Sequence, residues 1–334
     1  MEANMPQYRF GEYGIDTEKP DTGTMSALIH GTAHDAELFA AANSVKQREY
    51  GKNVYIRGII EFSNYCRCKC AYCGINCSMK TTRYRMEPEE MVRAGIETAK
   101  VYQTVILQSG EDPYYTAPML ADIVKRIKDA AGCTITLSIG ERTEEEYRIM
   151  RDAGAGRFLI KHETSDEMLY QKLHGVPLET RLKAQRTIKK LGYELGGGFM
   201  VGLPGQTDET LAKDILTLVN EGVAMAGIGP YITHPATELV GSADGEPQKT
   251  LRVLALARLF LPQCHLPSTT ALNVKGGMDN ALNCGANVIM QKATPFAYRK
   301  LYDIYPGRDA KDVPLQQQWE ELEEKLEAMG LRAV

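Results

Sequence analysis

The sequence predicts an α/β fold: eight parallel strands closed into a (β/α)8 barrel of TIM type, with an N-terminal helical extension and a C-terminal helix. Two observations carry this. Eight short β-rich runs alternate with longer amphipathic runs from residue 54 onward, and each crossover helix returns the chain to the same edge of the sheet, which makes the strands parallel. No repeat other than this alternation, no low-complexity stretch and no linker divides the chain. An open doubly wound sheet is the alternative, and eight regular units favour closure.

The elements follow in order. Residues 1–52 read as a helical extension, because Ala27 to Val45 repeats apolar residues at helical spacing with no breaker after Gly31. The barrel occupies 53–310. Its strand candidates are Val54–Phe62, Thr104–Gln108, Thr134–Ser138, Arg157–Lys161, Gly198–Gly202, Ala226–Tyr231, Leu266–Ala271 and Asn287–Met290. Between them, Pro88 stands at a first-turn position ahead of a stripe of Met91, Gly95, Ile96 and Ala99. The helix from Asp208 to Val219 opens on Asp and Glu, as the positive end of the helix dipole favours. Residues 311–334 form a C-terminal helix packed on the barrel, with Trp319, Leu322, Leu326 and Met329 on one face and Gly330 at its end. In such a barrel, chemistry sits at the C-terminal ends of the strands.

Composition narrows the function classes. A quarter of the 334 residues are charged, 43% are apolar and the net charge is −4. That balance points to neither a nucleic-acid nor a membrane partner. No run reaches the roughly 18 apolar residues of a spanning helix, and the most apolar helix, Val253 to Leu261, carries Arg258. The first residues, MEANMPQYRFGEYG, are acidic early and have no apolar core, so no signal peptide is expected and the protein reads as cytoplasmic. Five of the eight cysteines, Cys66, Cys68, Cys70, Cys73 and Cys77, crowd into twelve residues, while Cys133, Cys264 and Cys284 are scattered and read as small buried residues. A dense thiol cluster in a reducing compartment binds metal.

That cluster follows the first barrel strand. Cys66, Cys70 and Cys73 are spaced by three and two residues on a loop, so each can ligate a different iron of a [4Fe–4S] cubane, leaving the fourth iron open. By spacing alone, an all-thiolate zinc site drawn from the five cysteines is the rival, which would make the chain a zinc-binding scaffold. The pattern Cys-x3-Cys-x2-Cys, with aromatic Tyr72 just before the third cysteine, resembles the signature of the radical S-adenosylmethionine (SAM) superfamily.

The resemblance extends from about Asn53 to Arg308. RGIIEFSNYC (57–66), RYRMEPEEM (83–91), LQSGEDPYY (107–115), LIKHETSDEMLYQKL (159–173), GLPGQT (202–207), GIGPYITHPATEL (227–239), CGANVIM (284–290) and LYDIYPG (301–307) fall in order on successive strand ends. Together they resemble the radical SAM maturases of [FeFe]-hydrogenase, relatives of biotin synthase and methylornithine synthase. The resemblance implies one [4Fe–4S] cluster on Cys66, Cys70 and Cys73, with SAM on the open iron. Tyr72 would pack near the adenine. Gln108 and Ser109 would receive the methionine amino group, and Glu163 and Arg181 would make polar contacts, with a structural ion pair as the alternative for those two. Met200, Met290, Tyr302 and Ile304 would be apolar contacts, core packing being the rival for the methionines. Arg57, Thr136, Ser138, Lys161, Thr269, Thr270 and Tyr305 would line the substrate wall, with Thr269 and Thr270 equally readable as β-branched strand residues.

The function so implied is a radical SAM enzyme that cleaves SAM reductively and acts on a small molecule, an iron–cysteine complex carrying CO and cyanide. A ferredoxin- or flavodoxin-like electron donor and other hydrogenase maturation proteins would be its partners. The alternative is a mutase or lyase acting on an amino acid, like methylornithine synthase. Three departures bear on the substrate: Lys161 stands where these maturases carry arginine, no cysteine follows Cys284, and Cys77 matches methylornithine synthase better than the maturases.

Overall fold

The computed structural model describes residues 7–308 and 312–334. The expected boundary at 310/311 and the first six residues of the supposed leaderless N-terminus lie outside the described residues. The extension opens on a hairpin, β1 (Tyr8–Phe10) against β2 (Tyr13–Ile15), ahead of the helices Thr22–His30 and Asp35–Tyr50. Asp21 starts the first helix by accepting from the amides of Gly23 and Thr24. The extension is held to the barrel's outer layer: Arg252 in the helix Pro247–Phe260 donates to the Ile29 carbonyl and pairs with Asp35 at 3.3 Å.

The barrel strands are β3 (Asn53–Ser63), β4 (Thr104–Ser109), β5 (Thr134–Ser138), β6 (Arg157–Leu159), β7 (Glu194–Val201), β8 (Met225–Pro230), β9 (Pro267–Ser268) and β10 (Val288–Lys292). They run parallel in the order β8-β7-β6-β5-β4-β3-β10-β9, and one bridge from Met225 to His265 brings the two ends of the sheet together. A short β11 (Arg332–Ala333), after the C-terminal helix Leu315–Ala328, adds parallel to the start of β3. Most long helices around the barrel bury one face, whereas Pro247–Phe260, tied to the N-terminal extension, is buried from Thr250 to its end. In Ala117–Ala131, Leu120, Ile123, Val124 and Ile127 are sealed against the sheet, each worth about 1.5–3 kcal/mol relative to exposure.

Two expected strands differ most, while the others shift by no more than two residues at an end. The run Leu266–Ala271 is strand only at Pro267–Ser268, because Thr269 is a helix N-cap whose side chain accepts from the Leu272 amide and starts the helix Thr270–Val274. The strand expected at Gly198–Gly202 begins at Glu194, its first half concealed by the low strand preference of Gly196, Gly197 and Gly198. Gly198 has a φ of 147°, and a Cβ there would lie 2.2 Å from the Gly227 carbonyl oxygen, so only glycine fits where β7 and β8 touch.

Candidate active site

The loop after β3 carries the cysteines, and buried polar side chains fix its path. Asn64 donates to the carbonyls of Thr82 and Leu301 and accepts from the Tyr84 amide. The Arg83 guanidinium gathers the carbonyls of Asn64, Ile75, Asn76 and Met79, so one side chain ties both ends of the cysteine loop. Asp112 accepts from Ser63 at 2.6 Å and from Arg85 at 2.8 and 3.0 Å, fixing the neighbouring β4 loop. Burial pushes the Asp112 carboxyl up, but Arg85 and Ser63 outweigh it and leave its pKa below the ordinary value.

Cys66 Sγ accepts from the Glu111 amide at 3.3 Å and the Cys68 amide at 3.4 Å. Hydrogen bonding with Cys68, and then burial, push the Cys66 thiol far above the ordinary range, while burial lifts Cys73 to about 12. Burial thus disfavours bare thiolates here, and a metal centre would supply the charge that stabilises them. Among the described residues, no three His, Cys, Asp or Glu side chains converge on a single ion position. A cubane takes one thiolate per iron, so the cysteine set fits a cluster better than a lone ion. Cys77, exposed, donates its amide to the Cys68 carbonyl.

Tyr72 is oriented from behind. Its hydroxyl lies 3.0 Å from His174 Nε2, while His174 Nδ1 is 3.1 Å from the Tyr170 carbonyl. Burial, with Arg181 nearby, pulls the His174 pKa down to about 4. The imidazole is thus neutral at pH 7, with Nδ1–H donating to Tyr170 and Nε2 accepting from Tyr72.

At the C-terminal mouth of the barrel lies a cavity of about 330 Å³. It brings together many of the expected residues. Tyr72, Cys73, Gln108, Glu163, Met200, Met290 and Ile304 line it from the supposed cofactor set, and Lys161, Thr269, Thr270 and Tyr305 from the substrate set. Glu163 Oε2 is sealed from solvent with no hydrogen-bond partner among the described residues, a buried acceptor open to a donor. The Lys161 stem lies against Gly227, whose Cβ would come within 2.9 Å of Cε, and a Cβ on Gly229 would meet Thr269 Oγ1 at 2.5 Å. The glycines of β8 leave the room that these two polar groups occupy.

Other expected residues sit elsewhere. Ser109 donates to the Gly110 carbonyl at 2.6 Å. Arg181 pairs with Glu141 at 2.8 Å and donates to the Lys161 carbonyl at 2.6 Å, the ion-pair arrangement that was its alternative. Tyr302 is buried beneath the wall, where Arg308 stacks on it at 5.4 Å. Arg57 and Thr136 border a separate small cavity with Arg157 and His265. Arg57 pairs in register with Thr104, the first residue of β4, which puts it at the barrel's entry end, away from the mouth. Ser138 ends β5 outside the cavity lining.

Sequence reasoning missed several wall residues. Ile59, Ile106 and Leu159 are inward strand positions that alternation could have found. Arg308, paired with the buried Glu61 across 247 residues, follows the last barrel strand, β10, and no local pattern marks it.

Comparison with known proteins agrees with this geometry. Residues 60–218 match the Radical SAM superfamily. The chain is 46% identical over 285 residues to the [FeFe] hydrogenase maturase subunit HydE of Thermotoga maritima, covering 84% of this chain and 82% of that one. It is 28% identical over 291 residues to the 3-methylornithine synthase of Methanosarcina acetivorans, covering 84% and 82%. The crystal structure of methylornithine synthase shares the fold with a TM-score of 0.81 at 24% identity, covering 94% of each chain. With the cysteine loop on β3, a cofactor-sized cavity at the barrel mouth and this level of identity, the chain belongs to the radical SAM superfamily, is an enzyme of that type, and takes a [4Fe–4S] cluster and SAM as its cofactors.

Proposed function

We propose that this enzyme acts in [FeFe]-hydrogenase maturation, on an iron–cysteine complex carrying CO and cyanide. The observation that carries the reading is the 46% identity to the Thermotoga maritima maturase across 84% of the chain. Cluster and SAM, once bound, supply a 5′-deoxyadenosyl radical. The protein's share is to hold, orient and shield. Cys66, Cys70 and Cys73 would carry the cluster. Tyr72 would flank the adenine, and the unpartnered Glu163 Oε2 would accept from a ribose hydroxyl or the ammonium. Met200, Met290 and Ile304 present apolar surface to the same space. The Lys161 ammonium, beside the cavity, has no hydrogen-bond or ion-pair partner among the described residues and suits an anionic substrate group. Thr269 and Thr270 add hydroxyls beside it. Ile304, Tyr305 and Arg308 close one side of the cavity, which excludes water from a reactive intermediate.

The outer face of the cysteine loop supports a protein electron donor of the ferredoxin or flavodoxin kind. Tyr65, Arg67 and Lys69 are exposed, alternating with half-buried Cys66, Cys68 and Cys70. A cationic, aromatic strip beside the cluster complements an acidic carrier. The hydrogenase reading also implies further maturation proteins as partners. Among the described residues, no helix is long and apolar enough to cross a membrane.

A second reading, an amino-acid mutase or lyase, is favoured by the 28% identity to 3-methylornithine synthase and by Cys77. The experiment that separates them follows adenosyl-product formation by reduced enzyme with the iron–cysteine complex or with lysine, in native protein and in Lys161→Arg. Turnover of the complex, retained or improved by arginine, is the expected result. Indifference to the complex in both forms, with turnover of the amino acid, sinks the hydrogenase reading.

A further inference from the structure

Glu163 is the one non-glycine residue with positive φ among the described residues, at 63°. That region is sparsely populated for a residue with a Cβ and persists only where its surroundings over-determine it. The surroundings here form a closed ring of contacts. The amides of His162 and Glu163 both donate to the Gly198 carbonyl at 3.1 Å, and the Met200 amide donates to the Glu163 carbonyl at 3.1 Å. Gln206, from the GLPGQT segment, donates to the Met200 carbonyl at 2.9 Å and to Asp214 Oδ2 at 3.2 Å, while its own oxygen accepts from Gly202 and Leu203. Asp214 Oδ1 accepts from the Ser165 amide and faces His162 Nε2 at 3.5 Å. His162 stands next to Glu163 in the chain, and the ring is complete.

Two members have no other evident purpose. His162 is fully buried, and neither ring nitrogen has a hydrogen-bond partner among the described residues. Asp214 is fully buried, and its ion-pair partner among the described residues is His162, with no lysine or arginine beside it. A buried carboxylate facing a buried imidazole is costly unless the pair is held for a reason. Neither side chain reaches the cavity lining. Their contacts bracket Glu163: the imidazole of His162, the residue before it, faces Asp214 at 3.5 Å, and Asp214 accepts from the Ser165 amide just after it.

We propose that His162 and Asp214 are positioning residues that hold Glu163 in its left-handed conformation, and so aim its carboxylate into the cavity toward SAM. The proposal rests on the reading of Glu163 as a SAM contact. It assigns a role to a motif, GLPGQT, and to a histidine that the cluster and cavity leave without one.

A double-mutant cycle on the anaerobically reconstituted holoprotein tests it, with SAM Kd by equilibrium dialysis, iron content and thermal midpoint as readouts. Glu163→Ala should raise the Kd roughly tenfold or more, as expected for loss of a hydrogen bond to a charged group. Asp214→Asn should raise it roughly threefold or more with iron content unchanged, and the double variant should be no worse than Glu163→Ala alone, the non-additivity of residues acting through one another. His162→Gln, whose amide keeps a polar group facing Asp214, should keep near-native affinity, whereas the apolar His162→Leu should not. These two variants carry the test if Asp214→Asn fails to assemble. A packing role predicts the opposite order. Fold-losses that multiply in the double variant, or an unchanged Kd in Asp214→Asn and His162→Leu, overturn the proposal. An unchanged Kd in Glu163→Ala instead overturns the underlying SAM contact, and the two failures are told apart by that single variant.

Discussion

Arg258, in the helical sheath, and Glu163, at the barrel mouth, are both charged groups withdrawn from water, and the protein treats them in opposite ways. The Arg258 side chain is fully buried, with Nε donating to the Gly285 carbonyl, its terminal nitrogens to the carbonyls of Leu261, Pro262 and Cys264, and a further bond to Asn287 Oδ1. Tyr50 stacks beside it at 5.4 Å. Every donor has a purpose inside the fold. Among the described residues, Glu163 Oε2 is equally sealed and has no partner, and the Lys161 ammonium shares its cavity without one. A buried polar group costs free energy unless it is hydrogen-bonded. At Arg258 that requirement is met internally, and polarity serves stability. At the mouth it is left open, where a bound molecule can meet it. For these charged groups, an unpartnered atom facing the cavity, more than burial or charge alone, marks the difference between Glu163 at the mouth and Arg258 in the wall.

The largest effect that could break this contrast lies in the cysteine loop. Anaerobically reconstituted protein should hold about four irons and four sulfides per chain with a brown thiolate-to-iron absorption band. Single replacement of Cys66, Cys70 or Cys73 by alanine should abolish the band. Cys68→Ala and Cys77→Ala should keep most of the iron. A site emptied by Cys68→Ala and intact in Cys66→Ala would mean the ligand assignment is wrong, and a colourless zinc protein would remove the cluster reading altogether.

The next effect is smaller and belongs to the sheath. Arg258→Ala strands several buried carbonyl oxygens, each at about 1–3 kcal/mol if nothing replaces the lost bond, so a total loss of roughly 3–5 kcal/mol is the expected scale. SAM affinity per folded chain should not change, because Arg258 touches nothing at the mouth. Denaturant unfolding and SAM dialysis on the same preparation check both halves. A variant with native stability, or one that folds fully and loses SAM, would erase the distinction between wall and mouth.

The sequence showed the mouth better than the bonds that hold it. Alternation of strand and helix follows from local periodicity, and Cys66, Cys70, Cys73 and Tyr72 sit in one short motif on one strand end. Both are local signals, and both were legible. Thr269 was read as strand or substrate wall, and its side chain proves to cap a helix while still bordering the cavity. Arg57 and Thr136 looked like part of one wall, but which end of a strand a residue occupies depends on register with its neighbours, fixed only by the pairing of β3 with β4 and of β5 with β6. Arg83, His162, Asp214 and Arg308 act through partners distant in the chain or through backbone carbonyls, which leave no mark in residue type or spacing. Glu163 was singled out by resemblance, while its positive φ could not be, since glutamate is not a residue that announces such a conformation.

Lys46 offers the finest test, because it is the sheath's partial exception. It is buried in the helix Asp35–Tyr50, with its ammonium donating to the Leu282 carbonyl at 2.6 Å. Burial, and then repulsion from Arg258, pull its pKa from 10.5 down to about 8. Between about 8 and 10.5 the unfolded chain therefore binds more protons at this position than the native one. Stability gains from this group as pH rises through that window, and the group's full destabilising influence is felt below about pH 8. Lys46→Met removes the titration and the buried charge together, at the expense of the bond to Leu282. The stability of the variant relative to native protein should accordingly be most favourable near pH 7–8 and should decline steadily as pH rises toward 10.5. Thermal midpoints of both proteins, taken at intervals from pH 7 to 10, measure that difference directly. Parallel profiles would show that Lys46 titrates as an ordinary solvated lysine, and that the sheath satisfies this charge as completely as it does Arg258.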